Sequence, residues 1–155
     1  YAAAMYPTKL AQDAGFHQLL WTDAATHSFI EESGTMNVMF LIDDTVVTPS
    51  VGGTILKGVT RNSVLALAKD RGMKVDERRV SVEEIVAAAK DGRLKEAFGA
   101  GTAATIAPIA VIHCDGVDYH LPSNENRTFA PSILKELTEI RTGESADRFG
   151  WMVQV

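Results

Sequence analysis

The chain has 155 residues, 46% hydrophobic and 23% charged, with a formal net charge of −5 at pH 7. That length supports one domain with a buried core. The acidic balance argues against nucleic acid or an anionic membrane as a partner, since both favour a basic face. No apolar run approaches the roughly 20 residues that span a bilayer, and no signal peptide is evident. The single cysteine, Cys114, can form no internal disulfide, which fits a reducing cytoplasm. Beside Ile112, it reads as a small buried hydrophobe.

In chain order, Ala2 to Ala14 reads as a short helix stopped at Gly15. His17 to Thr22 (HQLLWT) and Ser28 to Glu32 read as strands. Gly34 interrupts the pattern. Asn37 to Ile42 (NVMFLI) is a nearly continuous apolar strand that turns at Asp43-Asp44 and returns through Thr45 to Thr48. Val51 to Gly58 is a glycine-punctuated loop. Val64, Leu65, Leu67 and Ala68 predict a helix over Thr60 to Arg71, ended by Gly72. Lys74 to Val80 reads as an edge-like strand, with Arg78 and Arg79 on a solvated face or in ion pairs. Ser81 with Glu84 has the Ser-x-x-Glu capping pattern ahead of a helix through Ile85 to Lys90. Ala97 to Thr102 reads as a second glycine-rich turn. Asp115-Gly116 is a hairpin signal between Ile109 to Cys114 and Val117 to Leu121. Ser132 to Arg141 is the last helix, with Ile133, Leu134, Leu137 and Ile140 as its apolar stripe. The pattern is α+β: a mostly antiparallel sheet with flanking helices, and no interdomain linker inside the chain.

Three segments could carry chemistry: Glu31 to Asn37 (EESGTMN), Leu56 to Arg61 (LKGVTR) and Phe98 to Ala104 (FGAGTAA). Gly58-Val59-Thr60 opens a helix, whose free N–H groups and partial positive charge suit a phosphate. Gly99-Ala100-Gly101-Thr102 would let backbone N–H groups approach an anion, with a threonine hydroxyl as a further donor. Two such sites suggest a phosphate held from two sides. Taken singly, each has a plainer alternative: Gly58 ends a loop and Thr60 caps a helix, while Gly101-Thr102 bends a sheet. Glu31 and Glu32 end an apolar strand, so one carboxylate can face inward, where it needs a cationic or proton-donating partner such as a pyridinium nitrogen. The alternative is two solvated carboxylates. His17, His27, His113 and His120 show no metal-ligand spacing, and no metal site is expected.

Together, in order, these segments resemble the fold-type IV pyridoxal-phosphate enzymes, specifically the branched-chain amino acid aminotransferases. The signature runs from Glu32, Gly34 and Asn37 through Val46-Val47-Thr48 to Leu56, Gly58, Val59 and Arg61, and the later Gly99 to Ala104 segment also fits. The resemblance covers nearly the whole chain, from Tyr1 to about Trp151. It implies the C-terminal large domain of that fold and pyridoxal 5'-phosphate as cofactor. Glu32 would contact the pyridine nitrogen, and Leu56 would pack on the ring. Gly58, Val59 and Thr60 would hold the phosphate on one side, and Gly101-Thr102 on the other. Tyr1 would bond the 3-hydroxyl oxygen. Thr35 and the Thr102-Ala103 backbone would receive the substrate carboxylate, beside Met36 at the apolar pocket. The Gly34-to-Asn37 wording (GTMN) favours branched-chain enzymes over relatives acting on D-amino acids or aminodeoxychorismate. Met39 stands where the family carries an aromatic residue, with Phe40 next. Ala104 and Ala107 stand where some relatives carry a Cys-x-x-Cys, so no thiol switch is expected.

The same resemblance implies that no catalytic residue lies in this chain. The Schiff-base lysine of the family falls about five residues before the position of Tyr1, and Lys57 occupies a variable, exposed position. The expectation is a C-terminal piece, inactive alone, whose parent exchanges amino groups between L-leucine, L-isoleucine or L-valine and 2-oxoglutarate. A small N-terminal domain and a second subunit would complete the site of a cytoplasmic homodimer. The alternatives are another enzyme of the same fold, acting on D-amino acids, aromatic amino acids or aminodeoxychorismate, or a non-catalytic domain binding a phosphate ligand.

Overall fold

A computed structural model describes residues 2–153. The chain runs through α1 (Ala2–Asp13), β1 (Leu20–Thr22), β2 (Phe29–Ser33), β3 (Met36–Ile42) and β4 (Thr45–Pro49). It continues through α2 (Val59–Asp70), β5 (Lys74–Arg78), β6 (Val80–Ser81) and α3 (Val82–Lys90). It ends with β7 (Leu94–Gly101), β8 (Thr105–Pro108), β9 (Val111–Cys114), β10 (Val117–His120) and α4 (Phe129–Thr142).

The sheet is organised around β3. One side of β3 pairs along its length with β7; the other side pairs with β2 at its start and β4 at its end. Strand β8 extends the sheet beyond β7, β1 lies beyond β2, and β5 joins β4 as the one parallel pair among the described strands. The apolar run of β3 follows from burial on both faces. Met39, Leu41, Phe98 and Ala100 face α2 and α4, meeting Val64, Leu67, Ile133 and Leu137. Val38, Phe40, Ile42 and Ala97 face the other way, toward Ile85 and Ala88 of α3 and Ile112 of β9. Full burial of a side chain the size of Phe40 or Phe98 contributes about 1.5–3 kcal/mol, so this two-sided core holds β3 rigidly.

Glu96 seats α4. It is 2% exposed. Its Oε1 accepts the N–H groups of Thr128 and Phe129 at 2.8 and 2.7 Å, and its Oε2 accepts that of Ala130 at 2.8 Å. A carboxylate from a neighbouring strand thus meets the unpaired donors of a helix start, which is why α4 begins at Phe129 and not at Ser132. Ser81 caps α3 by accepting the Glu84 N–H at 3.0 Å. Glu84 does not return the bond; its carboxylate pairs with Arg78.

Several expectations are corrected. Ala97 to Thr102 is not a tight turn. Gly99, Ala100 and Gly101 belong to β7, and only Thr102 to Ala104 turn, into β8. The glycines serve packing: a Cβ at Gly99 would meet Met36 Cε at 2.7 Å, and one at Gly101 would meet Met36 Cγ at 2.9 Å. Lys74 to Val80 divides into β5 and β6, which pair with different strands. Cys114 is half-buried, not enclosed, and burial and the neighbouring Asp115 push its thiol pKa upward. Among the described residues no helix is long and apolar enough to cross a membrane.

Candidate active site

The strand register assembles the site. Glu32 of β2 stands opposite Asn37 of β3, which stands opposite Ala100 of β7. Directly paired residues share a face, so the Glu32 and Asn37 side chains meet over the same side of the sheet. Thr35 and Met36, at the β2–β3 turn, lie at the sheet end where Gly101 and Thr102 leave β7. Two stretches far apart in sequence, residues 32–37 and 100–102, thus converge on one edge.

The loop before α2 closes over that edge. Glu32 Oε1 accepts the Leu56 N–H at 3.1 Å, and Asn37 Nδ2 donates to the Leu56 carbonyl at 2.9 Å. Glu31 points away, accepting from the Thr54 hydroxyl at 2.7 Å. One carboxylate faces the site, as its position at a strand end allows, though both residues are half-buried. Helix α2 then starts at Gly58 with no side chain capping it. Its first N–H groups have no partner within the helix, and the plainer alternative of a Thr60 cap does not hold, since the cap position is Gly58 and Thr60 lies inside the helix. Lys57 is exposed.

Arg61 closes the motif as its basic residue, and the structure gives it a further task. It is 2% exposed, and its Nη2 donates to the Pro49 carbonyl and to Glu77, each at 3.0 Å. Glu77 also pairs with Lys69. Burial works to raise the Glu77 pKa, but Lys69 and Arg61 outweigh it and hold the carboxyl below its ordinary value. Thr48 is fully buried and donates to the Val38 carbonyl at 2.8 Å, so this motif threonine fastens β4 to β3. Both roles depend on contacts distant in sequence; a charged residue inside an apolar helix pattern was the one available signal.

The sheet edge offers chemistry suited to a planar, anionic ligand. An uncapped helix start provides N–H donors for a phosphate. Glu32 provides a carboxylate for a ring N–H. Leu56 is 74% exposed and Val59 73% exposed, an apolar surface beside that carboxylate on which a ring can lie. Pyridoxal phosphate fits these residues. Tyr1 lies outside the described residues. A cleft of about 240 Å³ between Leu20, Ile30, Ile85 and Ile112 lies on the α3 side and contains none of the candidate residues. Among the described residues no group of three or more His, Cys, Asp or Glu could hold a metal ion.

Comparison with known proteins places the chain in a family. The profile of the family Amino-transferase class IV matches residues 1–112, and the chain belongs to that family. It is 41% identical over 155 residues to branched-chain-amino-acid aminotransferase 2 of Bacillus subtilis strain 168, covering all of this chain but 43% of that protein. It superposes on branched-chain amino acid aminotransferase from Escherichia coli with a TM-score of 0.78 and 27% identity, over 99% of this chain and 48% of that one. A third relative, a branched-chain amino acid aminotransferase from T.th. complexed with N-(5'-phosphopyridoxyl)-L-glutamate, gives a TM-score of 0.79 at 24% identity, covering 99% of this chain and 47% of that one. The last likeness speaks for the fold. The chain therefore spans less than half the length of the proteins it matches, and its fold is that of the fold-type IV aminotransferases.

Proposed function

We propose that this chain is the C-terminal, cofactor-binding part of a branched-chain amino acid aminotransferase that uses pyridoxal 5'-phosphate. Its parent would move an amino group between L-leucine, L-isoleucine or L-valine and 2-oxoglutarate. The observation that carries this is the meeting of Glu32, the Leu56 loop and the uncapped start of α2 at one sheet edge. The names of the relatives support the choice of substrate.

When bound, the cofactor supplies an electron sink for the amino acid's α-carbon. The chain's own residues bind and orient. Glu32 holds a proton at the pyridine nitrogen. Gly58, Val59 and Thr60 receive the phosphate through α2, with Gly101 and Thr102 across from them. Leu56 lies against the ring. Thr35, Met36 and Ala103 form the substrate side, and Tyr1 the 3-hydroxyl side. No catalytic base is assigned within the chain; the cofactor-bearing lysine would belong to the part of the parent that this chain does not span. The chain alone would then be inactive. On α1, Met5, Tyr6 and Leu10 are 70, 72 and 52% exposed. We assign the remainder of the same protein to cover them, and a second copy of the parent to complete the pocket.

The test is transfer from L-leucine, L-isoleucine and L-valine to 2-oxoglutarate by the full-length parent, read as glutamate formed. All three should serve, well ahead of D-alanine and L-phenylalanine. A preference for either of those would move the protein to a sister activity of the same fold.

A further inference from the structure

Asn37 is 6% exposed and stands across from Glu32 in the sheet. A carboxamide carries two N–H donors and one acceptor oxygen. Nδ2 donates to the Leu56 carbonyl at 2.9 Å and lies 3.5 Å from Glu32 Oε1, and that oxygen accepts the Leu56 N–H at 3.1 Å. Asn37, Glu32 and both backbone groups of Leu56 therefore form a closed ring of contacts. At the other end of the carboxamide, Oδ1 faces Gly58: a Cβ built there would sit 2.0 Å from it. Gly58 has φ −65° and ψ 132°, a backbone open to any residue. What requires glycine at this position is the approach of Asn37.

A pyridine ring with a short phosphate arm is rigid, so the protein must hold its two contact points at a fixed separation, and displacements near 1 Å are costly. We propose that Asn37 is a positioning residue that keeps the pyridine-side carboxylate, Glu32, in register with the phosphate-side helix start at Gly58. This rests on the cofactor assignment above. Asn37 reaches both ends at once, because one strand position faces Glu32 across the sheet and the Leu56–Gly58 loop above it.

The experiment compares full-length wild type with Asn37→Ala, Gly58→Ala and the double variant. Hydrogen exchange at the amides of Leu56 to Arg61 is measured without cofactor, and pyridoxal phosphate Kd by titration. The ring nitrogen of bound, nitrogen-15-labelled cofactor is followed by NMR, since it reports proton retention and not general stability. Each single variant should speed exchange in that segment, with α3 and α4 unchanged. Asn37→Ala should weaken cofactor binding about tenfold or more, in line with losses of groups that orient a binding ligand, and move the ring-nitrogen signal toward the unprotonated form. The double variant should exchange no faster than the worse single, because removing the Asn37 side chain frees the space a Cβ at position 58 needs. Asn37→Leu keeps a similar shape, deletes both donors and adds no charge beside Glu32, and serves if the alanine variant does not fold. If the wild type binds pyridoxal phosphate while Asn37→Ala matches it in exchange, Kd and ring-nitrogen signal, or if the exchange effects simply add, the positioning role is overturned alone. If the wild type binds no pyridoxal phosphate, the cofactor assignment falls first and the role falls with it.

Discussion

Two glutamates on the strands flanking β3 meet different fates. Glu96 spends both oxygens on three helix N–H groups and is 2% exposed. Glu32 is half-buried, and its hydrogen bonds among the described residues fall on Oε1. The first carboxylate is structural, and the second is available to a ligand. Glu96→Gln should cost about 2–3 kcal/mol, since an amide presents one acceptor and turns an NH2 toward buried donors; urea denaturation measures it, and unchanged stability would contradict the anchoring role. Glu32→Gln should leave stability within about 0.5 kcal/mol yet lower turnover of the full-length protein about a hundredfold, the scale of losing a group that stabilises developing charge. Wild-type turnover from that variant would remove Glu32 from the site.

At the scale of elements, α2, α4 and the segment after α4 are tied by charge. Glu136 accepts from Arg71 at 2.5 Å and from Arg148 at 2.6 Å, and Arg148 also reaches Asp70. Burial works to raise the Glu136 pKa, but Arg148 and Arg71 outweigh it and hold the carboxyl below its ordinary value. A depressed carboxyl stabilises the fold fully above its unfolded value, about 4.3 for glutamate, and that contribution is lost as pH falls through the lower folded value. Glu136→Gln should therefore cost about 1 kcal/mol at neutral pH, and melting temperatures of variant and wild type should converge in acid. A gap that persists in acid would mean the loss is one of packing.

Elements set by local signals were legible in the sequence. Helices α2 and α3 announce themselves by spacing, glycine stops and the Ser81 cap, and the β9–β10 hairpin by Asp115-Gly116. Those set by distant partners were not. Gly99 and Gly101 suggest a turn by composition but lie in a strand because they pair with β3 and β8, and they are small because Met36 lies over them. Strand β8, four residues at the end of that strand's turn, offers no alternation to detect. The candidate site divides in the same way. Its residues are ordered motifs visible in one dimension, whereas the tasks of Asn37, Thr48 and Arg61 arise from contacts across the fold.

For the molecule as a whole, the site is an open edge, with Leu56 and Val59 outward and the apolar face of α1 uncovered. An edge of this kind binds a small ligand strongly only when further chain closes it, which agrees with relatives more than twice this length. The most direct measurement is the visible absorbance of the full-length protein before and after L-leucine. A yellow cofactor band that bleaches on addition is the expected result, joining cofactor and substrate class in one observation. A yellow band that leucine leaves unchanged would contradict branched-chain specificity. No band, even with pyridoxal phosphate supplied, would contradict the cofactor site itself.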